Sequence, residues 1–301
     1  MSAELLKRLG IALGVLIFLW GGVEILRKDV GSGVTEFTIP AVKPQEIDSI
    51  VIRRPLGDVT LVKHADSVWS VNGFRASASG VNEVFTAIAE PLRAELVAEN
   101  PSTHARFSLD DAQARRIQMY RGTEPAVDLL IGKRGRDFQA VYLRHPNEDE
   151  VYSARTQLAT FADRPVTDWR DKQIANIPSD SIGVIEVARG TTQYTLTRAD
   201  SGQWNIDGTN ADSTEVSRLL TQFQDLNGTG FPTDVQTDSV DFNHPERRVV
   251  LWTAAQRQLA ELVFDSTAFA FWVRRTGDST VYRLERYKVD QLTPPDSTIR
   301  R

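Results

Sequence analysis

Three kinds of hydrophobic pattern follow one another along the chain. The first is a continuous apolar run: Leu9 to Val23 carries no charge, and Glu24 is followed by Ile25 and Leu26. As a helix, the 18 residues 9–26 reach roughly 27 Å, close to the ~30 Å hydrocarbon core of a bilayer. Lys7 and Arg8 precede the run, Arg27 and Lys28 follow it, and Trp20 lies near one end, as in a membrane span with snorkelling cations and an interfacial aromatic. This predicts a cytoplasmic tip and transmembrane anchor over residues 1–29. A cleaved signal peptide is the rival reading. Against it, the charge-free stretch is at the upper limit of an h-region, and the nearest small-residue site, Gly31-Ser32-Gly33, lies beyond two cations. The α-amino group tips the flanking charge toward a cytoplasmic N-terminus, placing residues 30–301 outside the cytoplasm. Gly10 and Gly14 have the spacing that lets two membrane helices approach in a weak homodimer, with chance spacing as the other reading.

The second pattern is alternation. Ile50 and Ile52, Val59 and Leu61, and Trp69 and Val71 are each separated by one residue, the period of half-buried strands. Gly57-Asp58 and Ala65-Asp66-Ser67 supply turns between them, and Asn72-Gly73 ends the third strand. The third pattern is helical. Val81, Val84, Phe85, Ile88 and Leu92 form one apolar stripe, with Ser79 as the N-cap. A polar connection from Asn100 to Asp111 leads to a meander of strands near Ile117–Tyr120, Ala126–Ile131, Phe138–Leu143 and Glu150–Ser153, closed by a short helix near Ala154–Phe161.

These patterns occur twice. Trp69-Ser70-Val71-Asn72-Gly73 returns as Trp204-Asn205-Ile206-Asp207-Gly208, an offset of 135 residues. The same offset relates Ile50 to Ile185, Leu61 to Leu196, Val81 to Val216 and Ile88 to Phe223, and it drifts to 130 by Val151 and Val281. Self-similarity at one register over strands, turn and helix marks a duplicated unit. The expected fold class is α+β: an N-terminal single transmembrane helix, then two tandem copies of an antiparallel-sheet-plus-helix unit. The expected division is 1–29 anchor, 36–161 first repeat, 162–180 linker, 181–292 second repeat and 293–301 a mobile polar tail.

Composition narrows the chemistry. There are 40 Asp and Glu against 35 Lys and Arg, a formal net charge of -5, which argues against a nucleic-acid partner. With no cysteine there is no thiol nucleophile, disulfide or Cys-ligated metal. His64, His104, His145 and His244 lack metal-ligand spacing, and they read as structural or surface histidines. No serine-nucleophile elbow, phosphate loop or dinucleotide fingerprint is present. Glu148-Asp149-Glu150 and Asp234, Asp238 and Asp241 are loop carboxylates that do not match a calcium loop. Arg115-Arg116, Lys133-Arg134 and Arg274-Arg275 are dispersed among acids and read as soluble faces. Trp69 and Trp204 read as core aromatics, with a groove lining as the alternative. No catalytic, cofactor-binding or metal-ligating residue is assigned.

Taken together, the Trp-x-Val/Ile-x-Gly strand, the strand ending at Leu129 to Gly132, Val151-Tyr152 and the Trp-Arg-Asp-Lys of Trp169 to Lys172 resemble a bacterial domain-of-unknown-function family of membrane-anchored proteins. The resemblance covers most of residues 36–292, and its motifs are structural rather than catalytic. Members are encoded beside gliding-motility-type ABC transporters. The resemblance implies an extracytoplasmic domain and an ABC permease or auxiliary subunit as partner. The function expected is therefore a membrane-anchored accessory or scaffold protein without catalysis. The alternatives are a binding module for an envelope glycan or lipid in a cleft between the repeats, and an envelope-polymer hydrolase.

Overall fold

A computed structural model describes residues 34–300 apart from 66, 136–137, 234–235, 237–239 and 268–269. Two compact units divide the chain at Trp169/Arg170.

The first unit has ten strands: β1 (Val34–Phe37), β2 (Ser49–Arg53), β3 (Val59–Lys63), β4 (Trp69–Val71), β5 (Phe74–Arg75), β6 (Leu92–Ala98), β7 (Arg115–Arg121), β8 (Glu124–Arg134), β9 (Ala140–Arg144) and β10 (Val151–Arg155). They form one sheet in the order β1-β6-β10-β9-β8-β7-β2-β3-β4-β5, every pair antiparallel. Alternation decides which face is covered. Ile50, Ile52, Leu61, Val71, Ile117, Leu129 and Ile131 enter one core with Val81, Val84, Phe85 and Ile88 of α1 (Ala78–Ala89). Phe161 of α2 (Leu158–Asp163) and Trp169 of α3 (Val166–Trp169) complete that core. Leu130, between two inward residues, joins Leu109 and Val151 in a smaller cluster.

The second unit has β11 (Gln173–Ala175), β12 (Val184–Arg189), β13 (Thr192–Arg198), β14 (Trp204–Ile206), β15 (Thr209–Asn210), β16 (Leu226–Asn227), β17 (Arg247–Trp252), β18 (Gln258–Ser266), β19 (Phe271–Arg275) and β20 (Val281–Leu284). Its helices are α4 (Ser213–Thr221), α5 (Arg286–Leu292) and α6 (Asp296–Ile299). Eight strands form a sheet in the order β15-β14-β13-β12-β17-β18-β19-β20, and β11 pairs with β16 in a separate ladder. An isolated bridge joins Gly230, beyond the end of β16, to Arg283 of β20, where the first unit has β6 beside β10.

Equivalent residues keep equivalent partners. Ile50 faces Leu61 and Met119; Ile185 faces Leu196 and Leu251. Asn72-Gly73 and Asp207-Gly208 both turn in the left-handed region, with φ of 46° and 87° and of 46° and 85°, as a two-residue hairpin requires. The side-chain oxygens Asn72 Oδ1 and Asp207 Oδ1 then accept from Thr60 N (2.8 Å) and Thr195 N (3.0 Å). Ser77 N donates to Trp169 O and Asp212 N to Ile299 O, each at 2.8 Å. That second pair equates α3 with α6.

The expected architecture is corrected at several points. Among the described residues, strands in three antiparallel sheets of ten, two and eight dominate, rather than the segregated sheet-plus-helix copies expected. Among the described residues no helix is long and apolar enough to cross a membrane, and residues 9–26, with Gly10 and Gly14, lie outside the described residues. Leu92 belongs to β6 rather than to the helical stripe: Pro91 pushes Glu90 into extended backbone (φ −79°, ψ 129°) and ends α1. The N-cap is Ser77, whose Oγ accepts from Gly80 N, not Ser79. Within residues 162–180, expected as the linker, Ala162 and Trp169 are buried in the first core and Ile174, Ala175 and Ile177 in the second. Residues 293–301 likewise contain Thr293 and Ile299, both buried.

Candidate functional site

The first unit has a groove of about 810 Å³, within the size range of ligand pockets. One wall is the outer face of α1: Ser79, Asn82, Glu83, Thr86 and Glu90 recur at helical spacing, opposite the stripe that enters the core. The other wall comes from the end of β8 (Arg134), the β8–β9 hairpin (Phe138 and Gln139), the end of β10 (Arg155), and Thr156, Gln157 and Thr160 at the start of α2. Eleven of the fourteen lining residues are polar or charged, and Ala87, Leu92 and Phe138 add apolar surface.

The lining is organised by its own contacts. Arg164 donates to Glu83 Oε2 at 2.9 Å, while its guanidinium lies 4.5 Å from the Trp169 ring centre and 5.0 Å from that of Phe161. This ties α1 to α2 and α3. Arg134 donates to Thr160 Oγ1 at 3.2 Å. Ser79 Oγ lies 2.9 Å from Ser77 Oγ, Thr86 Oγ1 donates to Asn82 O, and Thr156 Oγ1 accepts from Leu158 N. Among the described residues, the hydroxyls of Ser79, Thr86, Thr156 and Thr160 are bonded to a hydroxyl, backbone groups and a guanidinium. Phe138 stands at the rim, 75% exposed and at φ 57°. An aromatic in the left-handed region is strained by roughly 1–2 kcal/mol. Its exposure leaves no core contact to offset that strain.

The second unit has a groove of about 390 Å³ beside α4, between Glu215, Arg218 and Gln222 on one side and Asp290, Pro294, Pro295 and Thr298 on the other. Lys288 Nζ donates to Gln222 Oε1 at 2.8 Å.

Of the residues singled out from sequence, Arg134 lines the groove, and the histidines, loop carboxylates and tryptophans lie elsewhere. His64 Nε2 contacts Ser70 Oγ, buried His104 donates to Asp149 O, His145 stacks on Phe37 at 4.5 Å, and exposed His244 pairs with Asp241 at 2.9 Å. None of the four lines the groove. Among the described residues no group of three or more His, Asp or Glu side chains is placed to hold a metal ion. Asp234 and Asp238 lie outside the described residues. In the Glu148-Asp149-Glu150 turn it is the backbone that acts: the carbonyls of Glu148 and Asp149 accept from Arg144 and His104. Trp69 and Trp204 are each 7% exposed and belong to the two cores. Arg116 clasps Asp128 through two bonds, which hold its guanidinium above its ordinary range, and Arg274 covers the Phe242 ring at 4.7 Å. The groove residues Phe138, Arg155 and Thr160 carry no sequence motif. The one local signal is the polar stripe of α1.

No curated protein and no solved structure matches the chain. A family model described as a domain of unknown function, DUF4340, matches residues 69–247, from the first residue of β4 to the first of β17. That is more than half of the sequence, and it agrees with the expectation of a family of unknown function: the chain belongs to the DUF4340 family.

Proposed function

We propose that this chain is an accessory or scaffold protein without catalysis of its own, acting outside the cytoplasm with an ABC-type transport system through the groove of its first unit. The observation that carries the reading is the state of the groove's hydroxyls. Among the described residues, all four are engaged with another hydroxyl, backbone groups or a guanidinium rather than with a histidine or a carboxylate. Such a lining recognises shape and hydrogen-bonding pattern, as the polar rim of a protein interface does. Phe138 supplies the exposed aromatic anchor that such interfaces use. The location and the transport system come from the family resemblance.

The test is a photo-crosslinking residue at Gln139, introduced into the full chain in its native host. A permease or ATPase subunit joined at that position, and lost when Phe138 is replaced by Ala, supports the proposal. Crosslinks that capture no transport subunit, or that are unchanged by Phe138→Ala, overturn it.

A further inference from the structure

The duplication provides an internal control on a second concavity, which does not rest on the groove reading. In each unit an arginine just after β2, or ending β12, shares an aspartate with an arginine that opens β7 or β17. In the first unit Arg54 donates to Asp163 O (3.0 Å) and Arg164 O (2.9 Å), while Arg115 pairs with the Asp163 carboxylate at 2.6 Å and donates to Gly132 O. In the second unit Arg189 donates to Thr293 O at 3.1 Å, and Arg247 pairs with Asp290 at 2.6 Å. Arg115 faces Ile131 as Arg247 faces Phe264, so Lys133 corresponds to Ser266.

The surroundings of the two arginine pairs differ. In the second unit Arg247 has a side chain only 5% exposed, and Glu246 lies 3.5 Å away as a second acid, itself held by Ser266 at 2.5 Å. Two cations face two acids there. In the first unit Ala114 stands where Glu246 does and Lys133 where Ser266 does. The corner opens there as a pocket of about 630 Å³, whose charged lining is Arg54, Arg115 and Lys133 against Asp163 alone. The Lys133 ammonium makes no hydrogen bond or ion pair among the described residues. Leu56, on the same pocket, is 91% exposed, and the second unit has Thr191 at that position. The strands that carry the two pairs are paired in the same way, so that pairing requires neither an uncompensated cation nor a bare leucine.

We infer that this pocket binds an anionic headgroup carried on an apolar chain, the anion at Lys133 and the chain along Leu56. The excess of cations in a chain of net charge -5 selects for the anion. The arginines, held by Asp163 and by backbone carbonyls, fix the wall rather than move to the ligand.

The experiment is titration calorimetry on the full chain with dodecyl phosphate below its micelle concentration, with inorganic phosphate and dodecyl maltoside as separate arms. Lys133→Ser and Leu56→Thr install the residues the second unit already tolerates, and both positions are exposed, so the melting temperature reports that folding is kept. Dodecyl phosphate is expected to bind at least ten-fold more tightly than either comparison probe, and each variant to lose at least ten-fold. Equal binding of inorganic phosphate, equal binding of dodecyl maltoside, or full binding by both variants overturns the inference.

Discussion

Deleting residues 293–301, a segment whose composition reads as a mobile tail, is expected to unfold much of the second unit's stability. Ile299 is 1% exposed, and losing its burial costs about 2–3 kcal/mol. The Tyr194 hydroxyl donates to Pro294 O at 2.7 Å, and burial already pushes that phenol's pKa upward; without its acceptor it is left unsatisfied at about 1–3 kcal/mol. Arg247 loses the Thr293 hydroxyl at 3.0 Å, Arg189 loses Thr293 O, and Asp212 N loses Ile299 O at the entrance to α4, together roughly another 1–3 kcal/mol. The total is about 4–9 kcal/mol, comparable to the stability of a whole domain. Urea unfolding followed through tryptophan fluorescence, comparing the full chain with one ending at Leu292, is the assay. For a unit of this size the corresponding melting transition falls by 10 °C or more. A shift under about 2 °C, with the segment removed as quickly by protease from the full chain as a disordered peptide is, refutes the docking argument.

Three further outcomes follow from local geometry. A Cβ at Gly183 meets Ala254 N at 2.3 Å and Ala254 Cα at 2.5 Å, both backbone, so Gly183→Ala costs about 2–4 kcal/mol in chemical denaturation; Gly230→Ala, with nothing within 4 Å, changes stability by less than about 1 kcal/mol. Asp212 caps α4 by accepting from Thr214 N (2.8 Å) and Glu215 N (3.2 Å), whereas Ser77 accepts once at 3.3 Å; Asp212→Ala therefore costs about 1–2 kcal/mol and Ser77→Ala about 0.5, and a reversed order in the same assay contradicts the cap assignment. The hydrogen bond from His244, with Asn243 N adding to it, holds the exposed Asp241 carboxyl below its ordinary pKa. A depressed carboxyl stabilises the fold above its unfolded pKa, and that contribution is lost as pH falls through the folded value. NMR titration of the carboxyl in His244→Ala is expected to show it moving up, and an unmoved titration rejects the assignment.

The chain's own order determines what depends on neighbours in sequence. The alternation at Ile50, Ile52 and Leu61, the stripe from Val81 to Ile88, and the Asn72-Gly73 and Asp207-Gly208 turns are legible because side-chain period and turn chemistry act over a few residues. The duplication is legible for the same reason, since two copies facing the same local demands keep the same residue types. Pro91 stands openly in the sequence, but its effect on Leu92 depends on β6 finding partners in β1 and β10. The docking of Ile299 depends on a contact with Asp212, far back in the chain, which nothing near residue 299 encodes. The groove and the cationic pocket are also tertiary products. The first assembles residues 79 to 160 and the second residues 54 to 163, from strand ends and loops that polarity alone marks as solvent-facing. Which of those polar groups meet is decided by the order in which the strands pair, and that order is fixed by burial of the shared core rather than by the polar residues themselves.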